Sequence, residues 1–291
     1  QAVSRPRITI VTPSYNQGRF LGETLQSVHD QGYPELEHIV IDGGSTDESV
    51  SVIERFAPQL TYWVSERDRG QSHAINKGFA RATGEILTWL NSDDTLVPGA
   101  LEAVAAVFEA HPDVDLVYGD FVYTDADGRP MRRRHVFASM HYETLLYHDY
   151  LGQPAVFFRR SLLDRVGPVD ESLHYCMDWD LFLRMWRVAK TRHVPRVLAT
   201  YRLDQSAKSN AEESAAAVAA AHLVQQRNRN QRFASAGLNG AWHRAWFYGS
   251  FFVRAWVVVR DNPLHYVKTI TAMFPGRRLW RLFLARMRAP F

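Results

Sequence analysis

Gly84-Glu-Ile-Leu-Thr-Trp-Leu-Asn-Ser-Asp-Asp94 joins two kinds of sequence that rarely meet without a structural reason. Glu85 to Leu90 is a mostly apolar run of strand character, and it stops at the polar Asn91-Ser-Asp-Asp94. Two adjacent carboxylates at a sheet edge raise each other's pKa unless a cation or donors compensate, so a divalent metal is a natural occupant. Taken alone, an Asp-Asp pair in a turn is more often a solvated helix cap. The neighbouring sequence has to settle which reading holds.

Upstream, Ile8 to Thr12 reads as a buried strand ending in the turn residues Pro13 to Asn16. Phe20, Leu21, Leu25 and Val28 then recur at helical spacing up to His29. His38 to Asp42 is a second strand, and Gly43 to Asp47 opens a helix with Ser45 or Thr46 as the expected N-cap. Thr61 to Val64 is a strand, and Ser72 to Ala82 a helix closed by Gly84. Downstream come a helix over Leu101 to Ala110, a strand over Leu116 to Asp120 and a hairpin around Asp125 to Gly128. An irregular stretch to Tyr150 precedes a strand over Gln153 to Phe158, a short helix from Ser161 to Val166, and a longer one from Asp178 to Ala189. Such alternation predicts an α/β domain with a mostly parallel sheet and helices on both faces. Ligands then bind at the carboxyl ends of the strands, three of which carry polar loops: Pro13 to Asn16, Asp42 to Asp47, and Asn91 to Asp94.

Bulk properties exclude several classes. With 291 residues, 46% hydrophobic and 22% charged, the chain buries a sizeable core and is not disordered. The single cysteine, Cys176, excludes an internal disulfide framework and fits a reducing compartment. The first residues show no signal-peptide pattern. The net charge of +3 conceals an asymmetry: Ala221 to Phe291 holds 12 Lys and Arg against one acidic residue, Asp261, so a basic tail follows an acidic body. Ala241 to Val259 and Leu264 to Met287 mix aromatic residues with arginines, and neither offers the roughly 18 apolar residues of a membrane span. They are expected to form interfacial helices on an anionic membrane, or to pack on the body or a second subunit as a homo-oligomer. No nucleic-acid module accompanies the charge, so nucleic acid is not an expected partner.

Seven stretches, in order and spacing, carry a specific resemblance. They are Ile8 to Asn16, Ile39 to Asp47, Ser65 to Gly70, Ala74 to Gly78, Gly84 to Asp94, Val166 to Leu173 and Asp178 to Arg184. Together they resemble the family 2 glycosyltransferases over about residues 7–210. The resemblance implies a GT-A (Rossmann-like) catalytic domain over residues 1–210, with a nucleotide-binding half to about 120 and an acceptor-side half from 121. A helical, basic and aromatic C-terminal extension would follow over 211–291.

The resemblance also implies roles. Asp42 would accept a hydrogen bond from the nucleotide base, Pro13 and Tyr15 would pack on it, and Asp68 would lie in a loop closing over it. Asp93 would bridge ribose or metal, and Asp94 would ligate Mg²⁺ or Mn²⁺ on the two phosphates, where the cation neutralises charge on the leaving diphosphate. Many relatives carry Asp where this chain has Asn91, which keeps the oxygen and loses the charge. Asp178 matches the catalytic base at a helix start, whose dipole favours the ionised carboxylate. The usual preceding Glu is Met177, and Asp180 is the rival base. Tyr201 to Ser209 resembles a loop over the pyrophosphate, with Asp204 as a further metal ligand and Lys208 on phosphate.

The expected activity is inverting transfer from a UDP- or dTDP-sugar to the hydroxyl of a saccharide or lipid-linked saccharide. It would serve cell-surface polysaccharide or glycolipid synthesis at the cytoplasmic membrane face. A nucleotide-sugar-binding protein without turnover is the alternative. A nucleotidyltransferase would carry a Gly-rich basic loop after its first strand, which Pro13 to Asn16 is not.

Overall fold

The computed structural model describes residues 5–136, 142–147, 149–204 and 215–236. Strand β1 (Ile8–Ser14) carries no charged residue and is buried along its whole length. It pairs in parallel with β2 (Leu36–Asp42), which pairs in parallel with β3 (Tyr62–Ser65); on its other side β1 pairs in parallel with β4 (Ile86–Trp89). Along β2, Ile39 and Ile41 join one core, while Val40 joins a second with Leu21, Leu25, Val52 and Ile53. Period-two alternation with both faces apolar is what a doubly covered strand requires. Helices α1 (Gly18–His29) and α2 (Ser49–Phe56) cover one face, α3 (Gln71–Arg81) and α4 (Ala100–Ala110) the other. Helix α3 crosses β1 so closely that a Cβ on Gly78 would stand 2.3 Å from a Val11 methyl, so only glycine fits.

The second half adds β5 (Thr95–Leu96), β6 (Leu116–Thr124), β7 (Pro130–Arg134), β8 (Val156–Arg159) and β9 (Thr191–Arg202). The sheet order is β3-β2-β1-β4-β8-β6-β9-β5, with β7 paired to β6. Because β8 is antiparallel to both β4 and β6, and β6 is parallel to β9, direction is restored past the inversion. The carboxyl ends of β1, β2, β4, β6 and β9 therefore share one edge of the sheet.

Several local expectations change. Ser45 and Thr46 do not cap α2, which starts at Ser49 with Asp47 Oδ1 accepting the Ser49 amide. Ser45 instead donates to the Asp42 carboxylate, a stronger acceptor than a helix amide is a donor. Gln153 to Ala155 is a 3-10 turn rather than strand, since Pro154 has no N–H for the ladder. Helix α5 (Tyr142–Tyr147) occupies part of the stretch read as irregular, and β9 spans residues to which the sequence assigned no element. Helices α6 (Arg160–Val166) and α7 (Met177–Trp186) stand where expected.

The chain divides into compact units Gln1–Asn230 and Gln231–Phe291, the first reaching well beyond β9. The reason is α8 (Ala215–Ala236), whose Val224 is fully buried in the main core. Its Asn228 donates to Asp180 at 3.1 Å and its Arg227 pairs with Asp170 at 2.9 Å. No helix among the described residues is long and apolar enough to cross a membrane. The two aromatic, basic stretches of the tail lie outside the described residues.

Candidate active site

Several chain segments bring polar groups to the shared edge of the sheet. After β1, Tyr15 stands 62% exposed, while Pro13 is buried in the strand opposite Ile41. Asn16 adopts a left-handed conformation, and its side-chain oxygen accepts the Thr46 amide at 2.8 Å, stitching this turn to the one after β2. There Asp42 is fully buried. Its two oxygens take the amides of Gly44 and Ser45 and the hydroxyls of Ser45 and Ser65. These four donors commit both Asp42 oxygens to anchoring the loop. Asp68, half-buried after β3, accepts from the Gly70 amide at 2.7 Å.

After β4 the two aspartates divide. Asp93 is half-buried, and burial together with the nearby Asp204 pushes its carboxyl above the usual carboxylate range, against the pull of Arg202. Asp94 is 2% exposed, and burial and then Asp93 push its carboxyl well above that range. One Asp94 oxygen accepts the Arg202 amide at 2.9 Å, the other the Asn91 side-chain amide at 3.3 Å. Among the described residues no group of three or more His, Cys, Asp and Glu is arranged to hold a metal. The Asp94 carboxylate turns inward and holds the end of β9 through the Arg202 amide. Asn91 is also committed: its side-chain oxygen accepts from Gln71 at 2.8 Å. Asp93 and Asp204 lie close enough for one charge to act on the other, and two such hard oxygen donors fit Mg²⁺ or Mn²⁺. Lys208 lies outside the described residues.

Arg202 carries no role in the sequence reading, yet it organises this edge. It is 3% exposed, and its guanidinium donates to the Asp93 carbonyl, the Ala126 carbonyl and Glu23, while stacking on Phe20. No sequence signal marks it, since Asp93 is 109 positions away.

Asp178 sits in the first turn of α7, half-buried, with one oxygen accepting the Trp179 amide at 2.9 Å. Asp180 is 5% exposed and fixed by Arg184 at 2.8 Å and by Asn228. Met177 turns inward, its sulfur accepting from Ser72 at 2.9 Å, so its replacement of a glutamate is buried in packing. Ser72 follows Gln71, the partner of Asn91, and Trp89 stacks on Phe182 of α7. These contacts bind the start of α7 to the end of β4.

Such an edge has the makings of a site for a diphosphate, a base and an acceptor hydroxyl, and residues 9–166 match the family described as glycosyl transferase family 2. The chain belongs to glycosyl transferase family 2. A mycobacterial relative, the PGL/p-HBAD biosynthesis glycosyltransferase of Mycobacterium bovis, is 31% identical over 205 residues, covering 68% of this chain and 78% of its own. An uncharacterized glycosyltransferase of Nostoc is 29% identical over 174 residues, 56% and 54% of the two chains. Among solved structures, S. aureus TarS 1-349 in complex with UDP-GlcNAc superposes with a TM-score of 0.59 at 20% identity, covering 69% of this chain and 60% of that one. The mannosyltransferase PcManGT of Pyrobaculum calidifontis, with GDP-Man and Mn²⁺, gives 0.56 at 19% identity over 93% and 85%. At those identities the likeness is one of fold, and it places this family 2 member among the GT-A glycosyltransferases.

Proposed function

We propose that the chain transfers a sugar from a UDP- or dTDP-sugar to the hydroxyl of a saccharide or lipid-linked saccharide, with inversion at the anomeric carbon. One observation carries the assignment of the base: of the two aspartates that open α7, Asp180 is buried and locked in an ion pair, whereas Asp178 is only half-buried. Asp178 takes the proton of the acceptor hydroxyl as that oxygen bonds to the anomeric carbon. The bond from that carbon to the diphosphate oxygen breaks with its electrons, and the nucleoside diphosphate leaves. Asp178 stands in the first turn of α7, where the helix N-terminus favours negative charge. Asp93 and Asp204 would hold Mg²⁺ or Mn²⁺, which supplies positive charge to the departing diphosphate. Asp94, Asn91 and Arg202 orient the loop that carries Asp93.

The test is radiolabelled transfer from UDP- and dTDP-sugars to saccharide acceptors, with the product anomer read by NMR. Asp178→Asn should lower turnover by about 10² to 10⁴ while nucleotide affinity stays within about threefold. Retention of configuration, or an active Asp178→Asn variant, contradicts the mechanism. Wild-type protein that binds the donor without transferring or hydrolysing it supports the binding-only alternative.

A further inference from the structure

We propose that Asp68, and not Asp42, reads the base of the donor, and that it selects uracil or thymine; this rests on the nucleotide-sugar reading above. Asp42 is closed to ligands by its four protein donors. The next residue is Gly43, and the space its side chain would fill is already occupied. A Cβ there would stand 2.8 Å from Asp68 Oδ2 and 3.2 Å from the Tyr15 ring. Asp68 thus reaches from the loop after β3 across the end of β2, and the absence of a side chain at Gly43 makes room for it. Its other oxygen, Oδ1, is held by the Gly70 amide, and Gly70 has φ 109°, a conformation that favours glycine. Oδ2 accepts no hydrogen bond among the described residues. Beside it lies Tyr15, one of the few large hydrophobic side chains left open to solvent.

An aromatic face next to a carboxylate oxygen suits a planar base stacked on the ring with its edge toward the acid. An ionised carboxylate only accepts hydrogen bonds. The N3–H of uracil or thymine is a single donor flanked by carbonyls, which matches one available oxygen. Cytosine and adenine set a ring-nitrogen lone pair beside their amino groups, and that lone pair repels the acid. Guanine presents two adjacent donors, which call for a two-oxygen fork, and Oδ1 is engaged with Gly70.

Titration calorimetry of the full chain with UDP, dTDP, GDP, CDP and ADP in Mg²⁺ tests this. UDP or dTDP should bind at least about tenfold more tightly than the other three, the equivalent of one charged hydrogen bond. Asp68→Asn keeps the acceptor for the Gly70 amide but can donate to cytosine N3, so it should narrow the UDP to CDP ratio to about threefold or less. Gly43→Ala should weaken UDP severalfold with an unchanged near-UV circular dichroism spectrum, because its Cβ displaces Oδ2. A wild-type preference for GDP, an Asp68→Asn variant with the wild-type ratio, or unaltered UDP affinity in Gly43→Ala overturns the assignment. The two variant results leave the donor reading intact, a wild-type preference for GDP keeps a nucleotide-sugar donor but replaces the UDP- or dTDP-sugar, and a wild-type chain that binds no nucleoside diphosphate removes both readings.

Discussion

The loops after β2 and β4 lie on either side of β1, and each buries an aspartate. Asp42 is fully buried and surrounded by neutral N–H and O–H donors. Asp94 is buried almost as deeply, but it has one backbone amide, a longer contact to Asn91, and the like charge of Asp93 beside it. After β4, burial and the paired charge push both carboxyls above the usual carboxylate range. A buried carboxylate saturated by donors is therefore an anchor, and one pressed against its own kind marks where a cation is wanted.

The sharpest way to break this contrast is Asp93→Asn. Transfer in Mn²⁺ should fall by about 10² to 10³, the usual loss when a charge-stabilising group is removed. The melting temperature should not fall, because a like-charge contact with Asp94 is relieved. Activity near the wild-type level would remove Asp93 from the site.

The same substitution at the two buried aspartates should act in opposite directions. Asp42→Asn turns one acceptor oxygen into a donor facing amides and hydroxyls, costing on the order of 2–3 kcal/mol in urea unfolding. Asp94→Asn keeps an oxygen for the Arg202 amide and loses the repulsion from Asp93, so its stability should equal or exceed that of the wild type. Equal losses in both would show that the two loops do not differ as described.

His38 offers a third solution on the same strand, which is to give up the charge. It is 3% exposed, its ring nitrogen meets Thr12 Oγ1 at 3.0 Å, and burial pushes its pKa from 6.5 down to about 3. Below pH 6.5 the unfolded chain takes up a proton at this histidine that the folded chain refuses until about pH 3. Stability should therefore decline as pH falls through that window, by about 1.4 kcal/mol per unit once the unfolded histidine is charged. His38→Gln, which can keep the contact with Thr12, should flatten the decline between pH 6 and 4. A slope identical to that of the wild type would mean the ring is protonated in place.

Much of this was readable along the chain. The strands ending at Asp42 and at Asn91 to Asp94 announce themselves because apolar periodicity reports which face of an element is buried. The preference for Asp178 over Asp180 rests on motif register, and what the sequence does not show is that Asp180 meets Arg184 and Asn228 of α8. Which of Asp93 and Asp94 turns inward could not be read along the chain. A two-residue polar turn has no periodicity to tell inside from outside.

Amino-acid order alone was enough for the alternation of strands and helices, the polar loops at one edge, and membership in a glycosyltransferase family, because these rest on local patterns. Folding decided which carboxylate turns inward, which arginine holds the loop, and which acid stands over Gly43. Each of those outcomes is set by a group that is remote in the chain and adjacent in space: the Arg202 amide lies 108 positions from Asp94, and Asp68 meets the end of β2 only after β3 has docked beside it.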